Sequence, residues 1–472
     1  MKSCRKLLAQ TSPFPQLPVL NAITNQITKA PPDLEGYFLI AGQHVLDTTG
    51  SLFEWMRDIL NLPMSNTYVV GKSYSTSQAV AQQIQDVLKI NYQPSSQQMM
   101  LGGFSESYDY DVIKLWERLV SKLAILERKK QNAKGIFVLD DGGHLFRRML
   151  PAILSLKTAD GKPIPIVGIE QTSSGVFSSK SFLYPIIEVA SSAAKKLETQ
   201  MLAKLFAKQW ESTIKMSLAS LRLPNFPDEL SSLKFGIMGL GNVGKAMLAH
   251  LQELGYKNLV VYDADSAVRE KMGGNNIFVA KNVPDFLKEA DVILGCTGHN
   301  FMFSNFPECL EIIQQPRKTP RIFVSLSSKD TEFNSLLVKI HQDNRNGPID
   351  PLKHILYPKN DPHSIIVAAG MPFNFLSVNT GLCNYSIPHH EIQLTRGLLA
   401  AAILQAYSMI QNDCIDIAMQ YQLDPHWQRF VVEAWLHSDQ KPMREEFNNL
   451  EWIQAHSGGE AYSKNQNLYF RG

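Results

Sequence analysis

Three glycines and one acidic residue carry the most readable chemistry in this chain. Gly239, Gly241 and Gly244 form G-x-G-x-x-G, with Asn242 and Val243 inside the motif, directly after the apolar run "KFGIM" and at the start of a helical pattern. The first glycine permits a tight turn and the second lets a pyrophosphate approach the backbone. The third allows close helix-to-strand contact while the helix N-terminus faces the phosphates. Asp263 follows about twenty residues later at the tip of the next strand, where a carboxylate can bond both ribose hydroxyls and repel a 2'-phosphate. These residues predict bound NAD in preference to NADP. A second concentration of reactive groups lies in "VLDDGGHLF", Val138 to Phe146, where an apolar strand ends in Asp140, Asp141, two glycines and a histidine. Soon after it, "IPIVGIEQTSSGV" sets another polar loop at a strand tip. Ligands sit at such tips in parallel α/β sheets.

The elements that must hold these groups alternate between strand and helix signals. "YFLIAG" reads as a buried strand, and from Asp111 to Lys130 the residues Val112, Leu115, Trp116, Leu119, Leu123 and Leu126 recur at helical spacing. A longer helical stretch is expected from about Ser192 to Leu221, and "RLPNFPDELSS" breaks it before a new strand begins at Lys234. "ADVILGCTG" and "RIFVSLSS" supply further strands, and "GLLAAAILQAYSMI" is helical again.

Bulk properties exclude several classes of partner. The 472 residues, 44% of them hydrophobic, exceed what one compact core usually holds. Forty-six basic against 44 acidic residues leave a net charge of +2, too little to draw in nucleic acid or an anionic membrane. Cys4, Cys296, Cys309, Cys383 and Cys414 lie far apart with no C-x-x-C pair. That spacing suits reduced thiols in a cytosol and gives no reason to expect a metal. No run approaches the length needed to span a bilayer and no signal-peptide core follows Met1, so the expectation is a soluble cytoplasmic protein.

From about Tyr37 onward the order of motifs resembles the S-adenosylhomocysteine hydrolase (adenosylhomocysteinase) family. "VLDDGGHL" is similar to that family's "ILDDGGDL", "GIEQTSSGV" to "GISEETTTGV", "GLGNVGKA" to "GYGDVGKG", "AAGMPFNFL" to "AEGRLVNLG", and "AGQHVLDTTGSL" to "GCLHMTVETAVL". The resemblance implies an α/β chain of two Rossmann-like doubly wound domains. Residues 1–205 would begin a substrate domain, 206–376 form the NAD-binding domain, 377–440 return to the substrate domain, and 441–472 make a C-terminal tail. It implies a redox-assisted reaction in which tightly held NAD oxidises the 3'-hydroxyl of a nucleoside and elimination or hydrolysis follows. His44, Asp141 and Lys195 match the catalytic positions. Thr172, Ser173 and Ser174 match the hydroxyl run beside the nicotinamide, Thr297 lies where the family has "TTG", and Asn374 matches an asparagine facing the carboxamide. Near the C-terminus Lys464 and Tyr469 match residues that reach the NAD of a neighbouring subunit, which implies a homo-oligomer, dimer or tetramer. "NLYFRG" is equally readable as a loose or added end.

Departures cluster where the substrate should lie. Gln171 replaces a family glutamate, Thr48 replaces another, and the aspartate paired with the lysine falls on Thr199, unless a one-residue slip brings in Glu198. The gating histidine aligns with Ser328, while His389 and His390 stand near a motif with no other counterpart. The resulting expectation is an adenosylhomocysteinase-like enzyme with an altered nucleoside-type substrate. A non-catalytic NAD- and nucleoside-binding regulatory relative is one alternative. An NAD-dependent oxidoreductase or epimerase acting on a nucleoside or sugar alcohol is the other.

Overall fold

The computed structural model describes residues 12–95, 104–172, 175, 184–197, 232–272, 276–317, 319–327, 331–343, 354–358, 363–372, 388–413 and 419–438. Within them the chain builds two sheets. The first takes β1 (Tyr37–Gln43), β2 (Thr67–Gly71), β3 (Asn91–Gln93), β4 (Gly135–Asp140), β5 (Ile166–Glu170) and β6 (Ile186–Glu188). The second takes β7 (Phe235–Met238), β8 (Leu259–Tyr262), β9 (Ile277–Val279), β10 (Val292–Gly295), β11 (Arg321–Ser325), β12 (Ile355–Tyr357) and β13 (Ser364–Ile366). β14 (Gln420–Gln422) then returns to the edge of the first sheet, parallel to β6.

The strand order is β14-β6-β5-β4-β1-β2-β3 in one sheet and β12-β13-β11-β10-β7-β8-β9 in the other. All pairings are parallel except β12 with β13. The protein is therefore α/β with two doubly wound, Rossmann-like sheets. Each order reverses at one point, between β4 and β1 and between β10 and β7. A crevice opens at such a reversal, beyond the carboxyl ends of the two strands.

Parallel strands covered on both faces read as continuous apolar runs. β1, "YFLIAGQ", is buried at every position. Its side chains alternate between two cores: Tyr37, Leu39 and Ala41 join one apolar cluster, and Phe38 and Ile40 join the other. Helices Pro18–Ile27, Asp47–Leu60 and His389–Gln411 contribute to the first cluster. Gly397 lets two of them meet closely, since a Cβ there would fall 2.3 Å from Val19 Cγ1. The helix expected from Asp111 begins earlier and runs Phe104–Arg128, with Val112, Leu115, Trp116, Leu119 and Leu123 buried. Trp116 also donates its indole N–H to the Leu145 carbonyl at 3.0 Å, fastening that helix to the turn after β4. Of the helical stretch expected from Ser192, residues 193–197 are helical and the remainder lies outside the described residues.

Candidate functional site

The two aspartates at the end of β4 take different tasks. Asp140 caps its own turn, accepting the Asp141 N–H at 2.8 Å and the Phe146 N–H at 3.1 Å. Gly142 (φ 93°) and Gly143 (φ 72°) follow in the left-handed region, which glycine enters without the steric cost other residues bear. Asp141 instead faces the crevice. Its Oδ2 lies 3.1 Å from His44 Nε2, just past the end of β1, and also accepts the Gln171 side-chain amide from the end of β5. Strands β1, β4 and β5 are neighbours in the sheet, so their parallel alignment brings these three tips together.

A cation completes this arrangement from β2. Lys72 is buried, donates to the Asp141 backbone carbonyl, and stands 3.8 Å from Asp141 Oδ1 and 4.6 Å over the Tyr108 ring. Burial opposes ionisation of Asp141, but the charges of His44 and Lys72 outweigh it and hold the carboxyl well below the usual carboxylate range. Burial also lowers His44, against the pull of Asp141. The ring nitrogens of His44 are both engaged, Nδ1 by the Ser75 hydroxyl and Nε2 by Asp141.

Lys195 approaches from the segment after β6, with Nζ 3.5 Å from Thr395 Oγ1. Burial, with the Arg396 charge adding to it, brings Lys195 down to about 7, while Asp141 and Glu170 pull the other way. A lysine so placed holds a useful fraction of free amine at neutral pH. Thr48 is buried and accepts from Arg396 Nε at 3.3 Å.

Beneath the site, Glu170 ties two strand tips together. Its carboxyl accepts from Gly142 N at 3.1 Å, Gly143 N at 3.0 Å, and both the N–H and the hydroxyl of Thr172 at 2.7 and 2.6 Å. Burial and the adjacent Asp140 raise its pKa. Gly175 is required here, since a Cβ would lie 2.1 Å from Glu170 Cδ.

The second crevice has the form the glycine motif predicts. Gly239 turns at φ 94°, and a Cβ there would strike Thr297 Cγ2 at 2.8 Å. At Gly244 a Cβ would meet the Gly239 carbonyl oxygen at 1.9 Å, so the helix Asn242–Glu253 packs directly on the turn. Gly241 faces open space, with no atom within 4 Å of an added Cβ. It is the N-cap of that helix and offers no side-chain cap, and a helix N-terminus favours an anion. Asp263, at the tip of β8, accepts the Leu240 N–H at 2.6 Å and the Asp265 N–H at 2.9 Å. An open cradle, a helix N-terminus and a carboxylate at the tip of the next strand fit a dinucleotide. Thr297 donates to Glu332 at 2.9 Å.

Residues 234–313 match the family model for the NAD binding domain of 6-phosphogluconate dehydrogenase. The second sheet is an NAD-binding domain. No curated protein matches the sequence. Among solved structures the chain is similar to a glyoxylate reductase from Paecilomyes thermophila, at 10% identity and TM-score 0.30, over 63% of this chain and 86% of that one. It is similar also to an NADPH-dependent glyoxylate/hydroxypyruvate reductase from Sinorhizobium meliloti, at 13% identity and TM-score 0.30, over 57% and 80%. A third is a phosphoglycerate oxidoreductase from Rhizobium etli, at 13% identity and TM-score 0.28, over 51% and 78%.

The kinship expected with adenosylhomocysteinase is not upheld, because the family matched is the 6-phosphogluconate dehydrogenase NAD domain. The motifs that suggested it are glycine turns and polar strand tips, which any parallel α/β sheet with a ligand crevice needs in the same places. The hydrolase and nucleoside assignments that rested on that kinship fall with it.

His44, Asp141, Lys195 and Gln171 converge on the first crevice. Gly239, Gly241, Asn242, Val243, Gly244, Asp263 and Thr297 gather at the second, and Thr172 sides with Glu170. Ser173, Ser174, Glu198, Thr199, Ser328, Asn374, Lys464 and Tyr469 lie outside the described residues. His389 pairs with Asp47 at 2.7 Å and is exposed. Lys72, Ser75, Glu170, Arg396 and Glu332 were not anticipated. For Lys72 and Glu170 a signal existed, since each sits at the tip of an apolar run. For Arg396 and Glu332 the sequence offers none. Among the described residues no helix is long and apolar enough to cross a membrane, and no group of three or more His, Cys, Asp or Glu is placed to hold a metal.

Proposed function

We propose that the chain is an NAD-dependent oxidoreductase acting on a hydroxyl group of a small polar substrate bound at the tips of β1, β2, β4 and β5. The observation that carries this reading is the buried contact of His44 Nε2 with Asp141 Oδ2 at 3.1 Å, with Lys195 under the influence of the same carboxylate. When bound, NAD supplies a hydride acceptor for the carbon bearing the hydroxyl. A proton must leave the oxygen in the same step. Lys195, brought down to about 7, is the base suited to take it near neutral pH. Asp141 orients His44 and balances the positive charge that develops on the bases.

Two buried oxygens without a hydrogen-bond partner, Asp141 Oδ1 and Gln171 Oε1, add support. Buried polar atoms are nearly always satisfied, so they fit a guest that donates hydrogen bonds, as a polyhydroxylated molecule does.

The test follows absorbance of reduced nicotinamide while the protein with NAD meets a panel of sugars, polyols and hydroxy acids. Reduction with one class of alcohol is expected, and Lys195→Ala should retain NAD yet lose at least about a hundredfold in turnover. Failure of every alcohol to reduce protein-bound NAD, or full turnover in Lys195→Ala, would overturn the reading.

A further inference from the structure

One buried carboxyl in the NAD-binding domain takes no part in the proton transfer above. Glu332, just before the helix Asn334–Asp343, is fully buried. It accepts the Gly298 N–H at 2.5 Å and the Thr297 hydroxyl at 2.9 Å. The fit is close, since a Cβ on Gly295 would lie 3.0 Å from Glu332 Oε2. Thr331 holds the same loop from its other side, donating to the Gly298 carbonyl at 3.1 Å. This loop follows β10 and rests against the pyrophosphate turn at Gly239.

A dinucleotide crossing the reversal between β7 and β10 has its adenosine end at β8, beside Asp263. Its nicotinamide half would therefore run toward the tips of β10 and β11, where Glu332 holds the loop at Thr297 and Gly298. The two redox forms of this half differ in charge: the oxidised ring is positive and the reduced ring neutral. A carboxylate in a dry interior discriminates between them, whereas a protonated carboxyl does not. We propose that Glu332 is a specificity-determining residue of the NAD site, favouring the oxidised over the reduced cofactor whenever its carboxyl is ionised.

Burial pushes Glu332 up to about 7, against the hydrogen bonds from Gly298, Thr297 and Ser327 that favour ionisation. The preference therefore changes across neutral pH. Rising pH ionises Glu332 and strengthens binding of the oxidised form relative to the reduced. By reciprocity, the oxidised form drives a proton off Glu332. The titratable groups on the loop packed against it are Cys296, whose thiol burial and the Glu332 charge push well above its usual range, and the exposed His299. Ser325 and Ser327 at the end of β11 carry no charge, and the charged or titratable groups of the following helix, Lys339, His341 and Asp343, come more than one turn after its start. Among the described residues no cation pairs with Glu332.

Dissociation constants of the full chain for NAD and for NADH, measured by fluorescence titration from pH 6 to 8.5, test the idea without any substrate. The ratio of the NADH constant to the NAD constant should rise by about tenfold across that range. Glu332→Gln keeps an acceptor for Gly298 and should flatten the rise. A flat ratio in the unaltered protein, or the same rise in Glu332→Gln, overturns the proposal. Should Glu332→Gln fail to fold, calorimetry of the unaltered protein in two buffers of different ionisation enthalpy decides. Proton release on binding NAD but not NADH supports the assignment, and equal release with both overturns it.

Discussion

The ammonium of Lys72 bonds the backbone carbonyl of Asp141 and stands 3.8 Å from its carboxylate. One buried cation thus fixes both the path of the chain after β4 and the charge of the residue that orients His44. Lys72→Met is expected to leave Asp141 without one of its two balancing charges, and loss of one partner of a buried pair costs about 3–5 kcal/mol. Urea unfolding measures this. A loss under about 1 kcal/mol would show that the pair contributes little.

Acid stability should be governed in part by His144, pushed down to about 3 by burial, with Lys72 next, despite Asp109 at 2.6 Å. The unfolded chain takes up a proton near pH 6.5, whereas the folded chain does so only near pH 3. Stability therefore falls as pH drops through that window, by up to about 1.4 kcal/mol per pH unit for one proton. Glu170, raised in the fold, works in the opposite direction, losing stability as pH rises above its usual value. Unfolding curves of His144→Gln against pH should show a shallower acid limb, and an unchanged slope would remove His144 from the account.

Two glycines of one motif should fail in different ways. Gly241→Ala places a methyl in open space on a backbone of φ −70°, which alanine adopts freely. Its melting temperature should stay near that of the unaltered protein while NAD affinity drops by about tenfold or more, because the methyl occupies the approach of the pyrophosphate. Gly244→Ala drives its methyl into the Gly239 carbonyl oxygen, so the melting temperature itself should fall. Thermal melts with and without NAD separate the two.

Asp263→Asn preserves an acceptor for the Leu240 N–H and removes the negative charge at the ribose position. Relative affinity for NADP over NAD should increase by about tenfold, as loss of repulsion toward a 2'-phosphate requires. Competitive titration of the two cofactors reads it directly, and an unaltered ratio would show that Asp263 does not choose between them.

The fold and the cofactor crevice were largely legible because their signals are local. Gly239, Gly241, Gly244 and Asp263 lie within one strand–turn–helix–strand unit, and their spacing alone defines the geometry. The substrate crevice is assembled differently. Nothing in "VLDDGG" says that Asp140 turns inward to cap Phe146 while Asp141 turns outward to His44, since that division depends on a turn closed by Glu170 from another strand. Lys72 and Arg396 enter from segments far away in the chain, so no local pattern announces them. Kinship was misread for the same reason: polar strand tips record what a parallel sheet demands of any ligand site, and not which ligand is held.

The return of β14 to the edge of the first sheet has a consequence for biosynthesis. The helix His389–Gln411 and β14, which complete the first lobe, are translated only after the whole glycine-turn lobe has been synthesised. The later-made lobe can reach its final form while the earlier one still waits with an open flank, Leu39 and Phe137 lacking the cover of Leu398 and Ile403. Chaperone demand during translation should therefore centre on the N-terminal lobe, and nascent chains arrested near residue 387 should be cleaved by protease there first.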